Sequence, residues 1–403
     1  MKSEKRLTIL CAMILVVLTA ILLLPEVTEE SLFPWDGSLY AANGQFFKTI
    51  FCNMKEVAFS PIEWVTAYYN RYPELAIRRQ PPLFGIIEGV VFLMFGASAV
   101  SAKATLFLFV LSFVLGWFFA IKKLFKDRLI AFLSTVLVIS LPMTKSLGTT
   151  IWLDLPAISF LMWAVYFAKT YLEEKEKKTK YIVLTALFLV SSLYTYQSTI
   201  FAVISLIIYM IASERQACLR KKEWHLFWSL FLILMMPLVL FTLKCASDNL
   251  LSIVGQQPAT KLQAFIPINK RWSFENWTFY MMSIWKGFSM LVIGSLLWVA
   301  TKTKKKIQKE EVLFLIWFFI GYVTCSYMFS KGSRYGYSFA IALVPLVVIG
   351  VKDTVYGLFL SEKAKKIRDI IVSLVLCSMV VFNLTGEKKL GFSKINRMDV
   401  VAL

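Results

Sequence analysis

Long apolar runs dominate the chain and set its architecture. The most apolar stretches follow one another without the alternation of a half-buried strand or the polar face of a soluble helix, at residues 7–24, 104–121, 129–143, 181–193, 227–243 and 312–329. A run of about 18 or more nearly uncharged residues is typical of a membrane-spanning helix. Backbone groups cannot stay unpaired in lipid, so helices are the expected spanning elements. The pattern predicts an all-α integral membrane protein.

Clusters of lysine and arginine separate these runs. They lie at residues 2–6, 122–128, 175–180, 215–222, 302–309 and 363–368. Cytoplasmic loops carry such an excess of positive charge. If all six clusters are cytoplasmic, an even number of crossings separates each neighbouring pair. This rule predicts about eleven transmembrane helices, with the N-terminus in the cytoplasm and the C-terminus outside. The formal charge of +19 belongs to these clusters and does not indicate a nucleic-acid partner.

The same parity rule decides one ambiguous stretch. Three apolar stretches lie between the first two basic clusters, and only two of them can span. The middle one, residues 82–95, is short, contains Glu88 and follows Pro81, so we expect it to lie in the outer interface. The first outer loop then covers residues 25–102, and its many aromatic residues predict interfacial helices. A second long outer loop covers residues 244–280. We expect residues 1–403 to form a single polytopic membrane domain with no separate soluble domain.

Two aspartates stand at the outer boundary of this predicted topology. A carboxylate within an apolar segment costs about 2.5–3.5 kcal/mol on insertion scales, so such residues are functional candidates. Asp36 follows the first apolar run, and its alternative interpretation is a turn, because Asp-Gly is common turn chemistry. Asp154 stands at the outer start of a helix, where its alternative role is an N-terminal cap.

Basic residues at the outer boundary run against the positive-inside trend. Lys331 and Arg334 lie between two apolar segments. They either snorkel to the interface or bind an anionic headgroup, for which arginine offers a bidentate fork and lysine a point charge. The same question arises in the first outer loop for Arg78, Arg79 and Lys103.

The order of these residues resembles a known family. The matching places are Asp36 with Tyr40, Gln80-Pro81-Pro82-Leu83, Phe95-Gly96 followed by Lys103, Asp154, and Lys331 through Arg334-Tyr335 to Pro345. In this order they resemble the membrane-embedded (GT-C) glycosyltransferases of the dolichyl-phosphate-mannose–protein mannosyltransferase family, with the bacterial lipid A aminoarabinose transferase as a relative. The chain departs from that pattern at Gly37, where the family often has an acidic residue, at Gln80, where it has histidine, and at Lys103, where it has arginine.

The resemblance implies a GT-C-like fold and a glycosyltransferase. Its donor would be a sugar linked to polyprenyl phosphate, and its acceptor a glycan, a lipid or a protein. Transfer would occur with inversion at the outer face of the cell (plasma) membrane. Asp36 would be the catalytic base. Lys331, Arg334 and Tyr335 would bind the donor phosphate, with Arg78, Arg79 and Lys103 as further candidates.

Two questions stay open from the sequence. Asp154 could orient the acceptor, or it could bind a divalent cation together with Glu29 or Glu30. Two oxygen ligands alone are fewer than a divalent cation usually has in a protein site. The competing functions are a transporter or flippase for a lipid-linked glycan and an assembly partner of a polysaccharide machine. A transporter would predict inverted repeats and charges near the middle of the bilayer, whereas these charges gather at its outer boundary.

Overall fold

The computed structural model describes residues 2–28, 36–72, 80–174, 178–215, 220–245, 272–303, 305–328, 333–358 and 365–386, and these residues form helices and no strand. The helices are α1 (Lys2–Val27), α2 (Asp36–Cys52), α3 (Met54–Phe59), α4 (Pro61–Arg71), α5 (Leu83–Phe95), α6 (Ala99–Phe125), α7 (Arg128–Ser140), α8 (Pro142–Thr149), α9 (Asp154–Glu173), α10 (Lys178–Thr195), α11 (Ile200–Glu214), α12 (Lys222–Cys245), α13 (Phe274–Lys302), α14 (Lys309–Tyr327), α15 (Ser333–Ala340), α16 (Leu343–Leu358) and α17 (Lys365–Gly386), with a 3₁₀ turn at Gln197–Thr199 before α11.

The long apolar helices confirm the all-α membrane class. Within the described ranges, seven helices are long and apolar enough to cross a membrane. Three bent pairs raise that number to ten if each pair is one span. One of them is α7 with α8, which bend by 68° where Pro142 begins the second helix. Proline cannot continue the hydrogen bonding of the preceding helix, so a break is expected there. The predicted count of eleven is therefore not confirmed.

Helices α6 and α9 pack closely in the centre of the bundle. The hydroxyl groups of Ser159 and Ser112 lie 2.8 Å apart, and the Trp163 indole donates to Ser112 at 3.1 Å. Gly116 lets the Trp163 ring approach α6, because a Cβ at this glycine would lie 3.2 Å from the indole nitrogen. Small residues and hydroxyl groups are the usual contacts between membrane helices, where hydrophobic burial gives no preference for helix over lipid.

Ion pairs gather at one end of the bundle. Helix α9 has 20 residues and is about 30 Å long, so Asp154 and Glu173 lie at opposite ends of it. Lys123 forms an ion pair of 3.1 Å with Glu173, and the neighbouring Lys122 donates to Thr8 near the start of α1. Further ion pairs at this end are Lys169–Glu310, Lys221–Glu214 and Lys302–Asp353. Basic clusters that are distant in sequence thus meet at one end, as the positive-inside pattern predicts.

The described part of the first outer loop contains four short helices. Helix α5 has 13 residues, about 20 Å, which is less than the hydrocarbon core of about 30 Å. It packs against α2 with backbones close together, since a Cβ at Gly44 would lie 2.4 Å from the Glu88 carboxylate and a Cβ at Gly89 would lie 2.8 Å from Phe47. Helices α3 and α4 expose Phe59 and Ile62. Exposed apolar side chains on short helices are typical of an interfacial position, which stays a prediction for these helices.

Candidate active site

The start of α2 lies beside the segment that precedes α9. A Cβ at Gly37 would lie 3.9 Å from the backbone nitrogen of Ile151. One turn further along α2, Tyr40 is buried, and its ring lies 6.3 Å from that of Trp152 in an edge-to-face arrangement. Asp36 is the first residue of α2, so the Asp-Gly pair begins a helix and does not form a reverse turn. The side chain of Asp36 lies outside the described part of the structure.

Asp154 is a buried carboxylate at the N-terminus of α9. The residue is 1% exposed. It occupies the first helical position, whereas Leu153 is the N-cap and makes no side-chain capping bond. The alternative interpretation as an N-cap therefore does not describe its position, although the helix dipole still favours a negative charge there. Asp154 interacts electrostatically with Arg334 and Tyr196.

Arg334 lies against aromatic rings inside the protein. Its guanidinium carbon is 4.1 Å from the centre of the Trp152 ring and 5.1 Å from that of Tyr335. Its Nη2 donates to the Tyr335 hydroxyl at 3.3 Å. Stacking on a ring face orients a guanidinium and leaves its edge for an anion. A side chain that snorkels toward the headgroups would not need such a platform.

Tyr196 completes the aromatic side of this cluster. It lies between α10 and the 3₁₀ turn, at the same end of the bundle as Asp154. Burial raises the pKa of the Tyr196 phenol well above its ordinary value, so the group stays neutral at physiological pH. A neutral phenol donates a hydrogen bond without adding negative charge.

The cluster combines features that favour an anion. The first residues of α2, α9 and α15 approach one another around Trp152. The N-terminus of a helix carries partial positive charge and unpaired N–H groups, which together bind phosphates and carboxylates. Arg334 adds a full positive charge, and Asp154 supplies a buried negative charge. The arrangement can therefore hold an anionic group and a group that donates to a carboxylate side by side.

One further predicted site residue has a structural contact of its own, and others lie outside the described residues. Lys103 is 1% exposed, and its ammonium group donates to the carbonyl oxygen of Glu26 at the end of α1 at 3.0 Å. The Glu26 carboxylate pairs with Lys145 at 3.1 Å. Lys103 thus fastens α6 to α1, and phosphate binding by this lysine stays a prediction. Arg78, Arg79 and Lys331 lie outside the described residues.

No metal site is formed by the described residues. They contain no group of three or more His, Cys, Asp or Glu side chains that could hold a metal ion. Glu29 and Glu30, the predicted partners of Asp154 in binding a divalent cation, lie outside the described ranges. The divalent cation stays a prediction.

Sequence reasoning did not single out Trp152 or Tyr196. Trp152 lies two residues before Asp154. An aromatic residue at the end of a membrane helix is usually an interfacial anchor, so its position gave no indication of a role in the site. Tyr196 breaks an apolar run just before Gln197, and that polar break was the available signal. Their roles as a platform and a donor depend on contacts with α15, which is more than 130 residues away in sequence from α10's end.

Comparisons with known proteins identify the fold. Residues 79–241 match the family model described as dolichyl-phosphate-mannose-protein mannosyltransferase. The crystal structure of ArnT from Cupriavidus metallidurans in the apo state superposes with a TM-score of 0.59 at 14% identity, covering 94% of this chain and 70% of that one. The chain has the GT-C fold. A search of curated protein sequences finds no significant match.

Two further structures share this GT-C fold. ArnT from the same organism bound to undecaprenyl phosphate gives a TM-score of 0.57 at 13% identity, covering 96% of this chain and 71% of that one. The oligosaccharyltransferase of Archaeoglobus fulgidus in the apo form gives 0.57 at 10% identity, covering 95% of this chain and 55% of that one. Together with the family match, they support a GT-C glycosyltransferase of the protein mannosyltransferase and ArnT type.

Proposed function

We propose that the protein transfers a sugar from a polyprenyl-phosphate donor to a glycan, lipid or protein acceptor, with inversion, at the outer face of the cell membrane. The observation that carries the proposal is the cluster in which Arg334, stacked on Trp152, lies beside buried Asp154 and the N-terminus of α2. The similar ArnT structure with bound undecaprenyl phosphate supports a polyprenyl-phosphate ligand.

The donor phosphate would lie at Arg334. As the bond between the anomeric carbon and the phosphate oxygen breaks, the phosphate takes the electron pair and gains negative charge. The Arg334 fork, with the phenols of Tyr335 and Tyr196 as donors, would stabilise that charge. Such stabilisation replaces a strong general acid, because a phosphate monoester with a second pKa of about 6 is already a good leaving group.

The acceptor would be activated on the opposite face of the sugar. Inversion requires that the acceptor oxygen attack the anomeric carbon from the side away from the phosphate. A carboxylate must take the hydroxyl proton as the new carbon–oxygen bond forms. Asp36, at the first position of α2, is the proposed base, and Asp154 would orient the acceptor hydroxyl.

The proposal is tested with the full-length protein in lipid nanodiscs. Undecaprenyl-phosphate-linked sugars are offered with a membrane extract as the source of acceptor, and release of undecaprenyl phosphate is measured. We expect release with wild type and a loss of about 10²–10⁴-fold in Asp36→Asn, the usual contribution of a general base. Glu275→Gln is the matched control, since this exposed carboxylate starts α13.

Two results would count against the proposal. Undiminished release by folded Asp36→Asn would remove Asp36 from the reaction. In proteoliposomes, movement of the lipid-linked sugar across the bilayer without cleavage of the sugar–phosphate bond would support the transporter or flippase instead.

A further inference from the structure

A large cavity lies in the first outer loop, next to the candidate active site. Its volume is about 1030 Å³, at the upper end of the range for ligand sites. Its walls come from α2, α3, α4, α5 and the residues around the start of α6. The wall on α2 runs from Ala41 to Thr49, about 12 Å of helix, and begins one residue after Tyr40. The cavity and the reaction cluster therefore share one rigid helix.

One wall of this cavity is a row of aromatic rings on α4. Trp64 and Tyr68 stack with ring centres 5.5 Å apart and planes 21° apart. Tyr72 continues the row at 4.9 Å from Tyr68. Trp64 and Tyr68 are spaced four apart, so they lie on one side of α4, and Tyr72 is the first residue after this helix. Buried Phe46 of α2 packs against Tyr68 at 5.0 Å and supports the row from behind.

The remaining walls mix apolar residues with polar residues of both charge signs, and the apolar ones are Ala41, Ala42, Ala67, Phe92, Ala97 and Ala99. Gln45, Lys48 and Thr49 face the cavity from α2, and Glu56 and Arg71 line it from α3 and α4. The side-chain oxygen of Gln45 is buried and has no hydrogen-bond partner among the described residues.

The composition of these walls indicates which class of ligand the cavity binds. An acyl or polyprenyl chain would leave the charged and amide groups desolvated without partners, which is costly. A sugar ring presents C–H groups on its face and hydroxyls, which donate and accept, at its edge. Planar rings on one wall and groups of both hydrogen-bonding kinds on the others match that distribution. The volume suits an oligosaccharide better than one sugar.

We propose that this cavity is the acceptor subsite and that it binds a glycan, with sugar rings against Trp64 and Tyr68. The inference rests on the proposed function, because it names the acceptor of that reaction. A glycan held along α2 from Thr49 to Ala41 would direct its terminal hydroxyl toward Asp36 and Asp154.

Binding is measured directly, without turnover. The full-length protein in nanodiscs is applied to a glycan array, and the best oligosaccharide is titrated against wild type, Trp64→Ala, Tyr68→Ala and Trp272→Ala. Trp272 is the matched control, because it stacks on Trp277 at 5.5 Å and is exposed, away from the cavity walls. We expect about tenfold or greater weakening in the first two variants and unchanged binding in the control.

The result also separates this inference from the proposed function. Undecaprenyl phosphate binding, measured on the same samples, should be unchanged in Trp64→Ala and Tyr68→Ala. If wild type does not bind undecaprenyl phosphate, the proposed donor is wrong, whereas the glycan titration still tests the acceptor subsite. Absence of glycan binding in wild type, equal binding in all variants, or preferential binding of a serine- and threonine-rich peptide would overturn the glycan subsite.

Discussion

The Arg334→Lys variant separates the effect of the guanidinium's geometry from the effect of its positive charge. Lysine keeps the positive charge beside Trp152 but loses the bidentate geometry and the planar stacking at 4.1 Å. One charge-assisted hydrogen bond contributes about 1.5–3 kcal/mol. At about 1.4 kcal/mol for each factor of ten, its loss should weaken donor use by roughly tenfold to 150-fold. The stacking loss adds about 0.5–2 kcal/mol, so the upper end of the range is expected.

The assay titrates an undecaprenyl-phosphate-linked sugar against wild type and variant at matched expression. Arg368→Lys is the matched control, because Arg368 also stacks on a ring, 4.4 Å above Tyr356, but belongs to α17 and pairs it with α16. Donor dependence that is unchanged in Arg334→Lys would refute the phosphate site and return Arg334 to interfacial anchoring. Equal weakening in both variants would show a general loss of folding.

Three further predictions concern the fold. Burial raises the pKa of Glu88, so the folded state keeps a proton that the unfolded state loses above about pH 4.3. The free energy of unfolding in detergent should therefore fall as pH rises above that value. Glu88→Gln should make the melting temperature less dependent on pH between pH 4.5 and 7.5. Gly350→Ala places a Cβ 2.6 Å from the backbone nitrogen of Trp298 and should lower the free energy of unfolding by about 1–3 kcal/mol. Gly357→Ala meets open space and should leave that free energy unchanged. Equal melting temperatures of the two variants would contradict the close packing at Gly350. Cysteines at Asp127 and Thr179 should react only with cytoplasmic reagents, and labelling from outside would overturn the proposed orientation.

Much of the fold follows from one-dimensional patterns. Apolar runs and basic clusters are local signals, and the ion pair of Lys123 with Glu173 shows clusters from different loops at one end. Charge parity separated the short stretch at residues 82–95 from the spans. The structure has a 13-residue helix there, and its position in the interface stays a prediction. The number of spans was not obtained, because bends such as the 68° break at Pro142 divide apolar runs without changing their composition.

The site was only partly accessible to sequence reasoning. Asp154 and Arg334 were found because charges at an apolar boundary are costly and therefore noticeable. Trp152 and Tyr196 were not, since aromatic residues are ordinary at helix ends, and only the contacts with α15 distinguish them. The α4 aromatic row was expected to anchor in the headgroups, whereas the structure places one side of Trp64 and Tyr68 on a cavity.

The dependence of α5 on α2 constrains the order in which the protein is built. Helix α5 is too short to be held by the bilayer as a span, and it carries a carboxyl group that is fully buried against α2. In the proposed topology this segment would pass to the outer side and dock there onto a helix synthesised about 40 residues earlier. Under that topology the first outer loop would fold only after translocation, so a slow step in its folding would delay formation of the proposed active site.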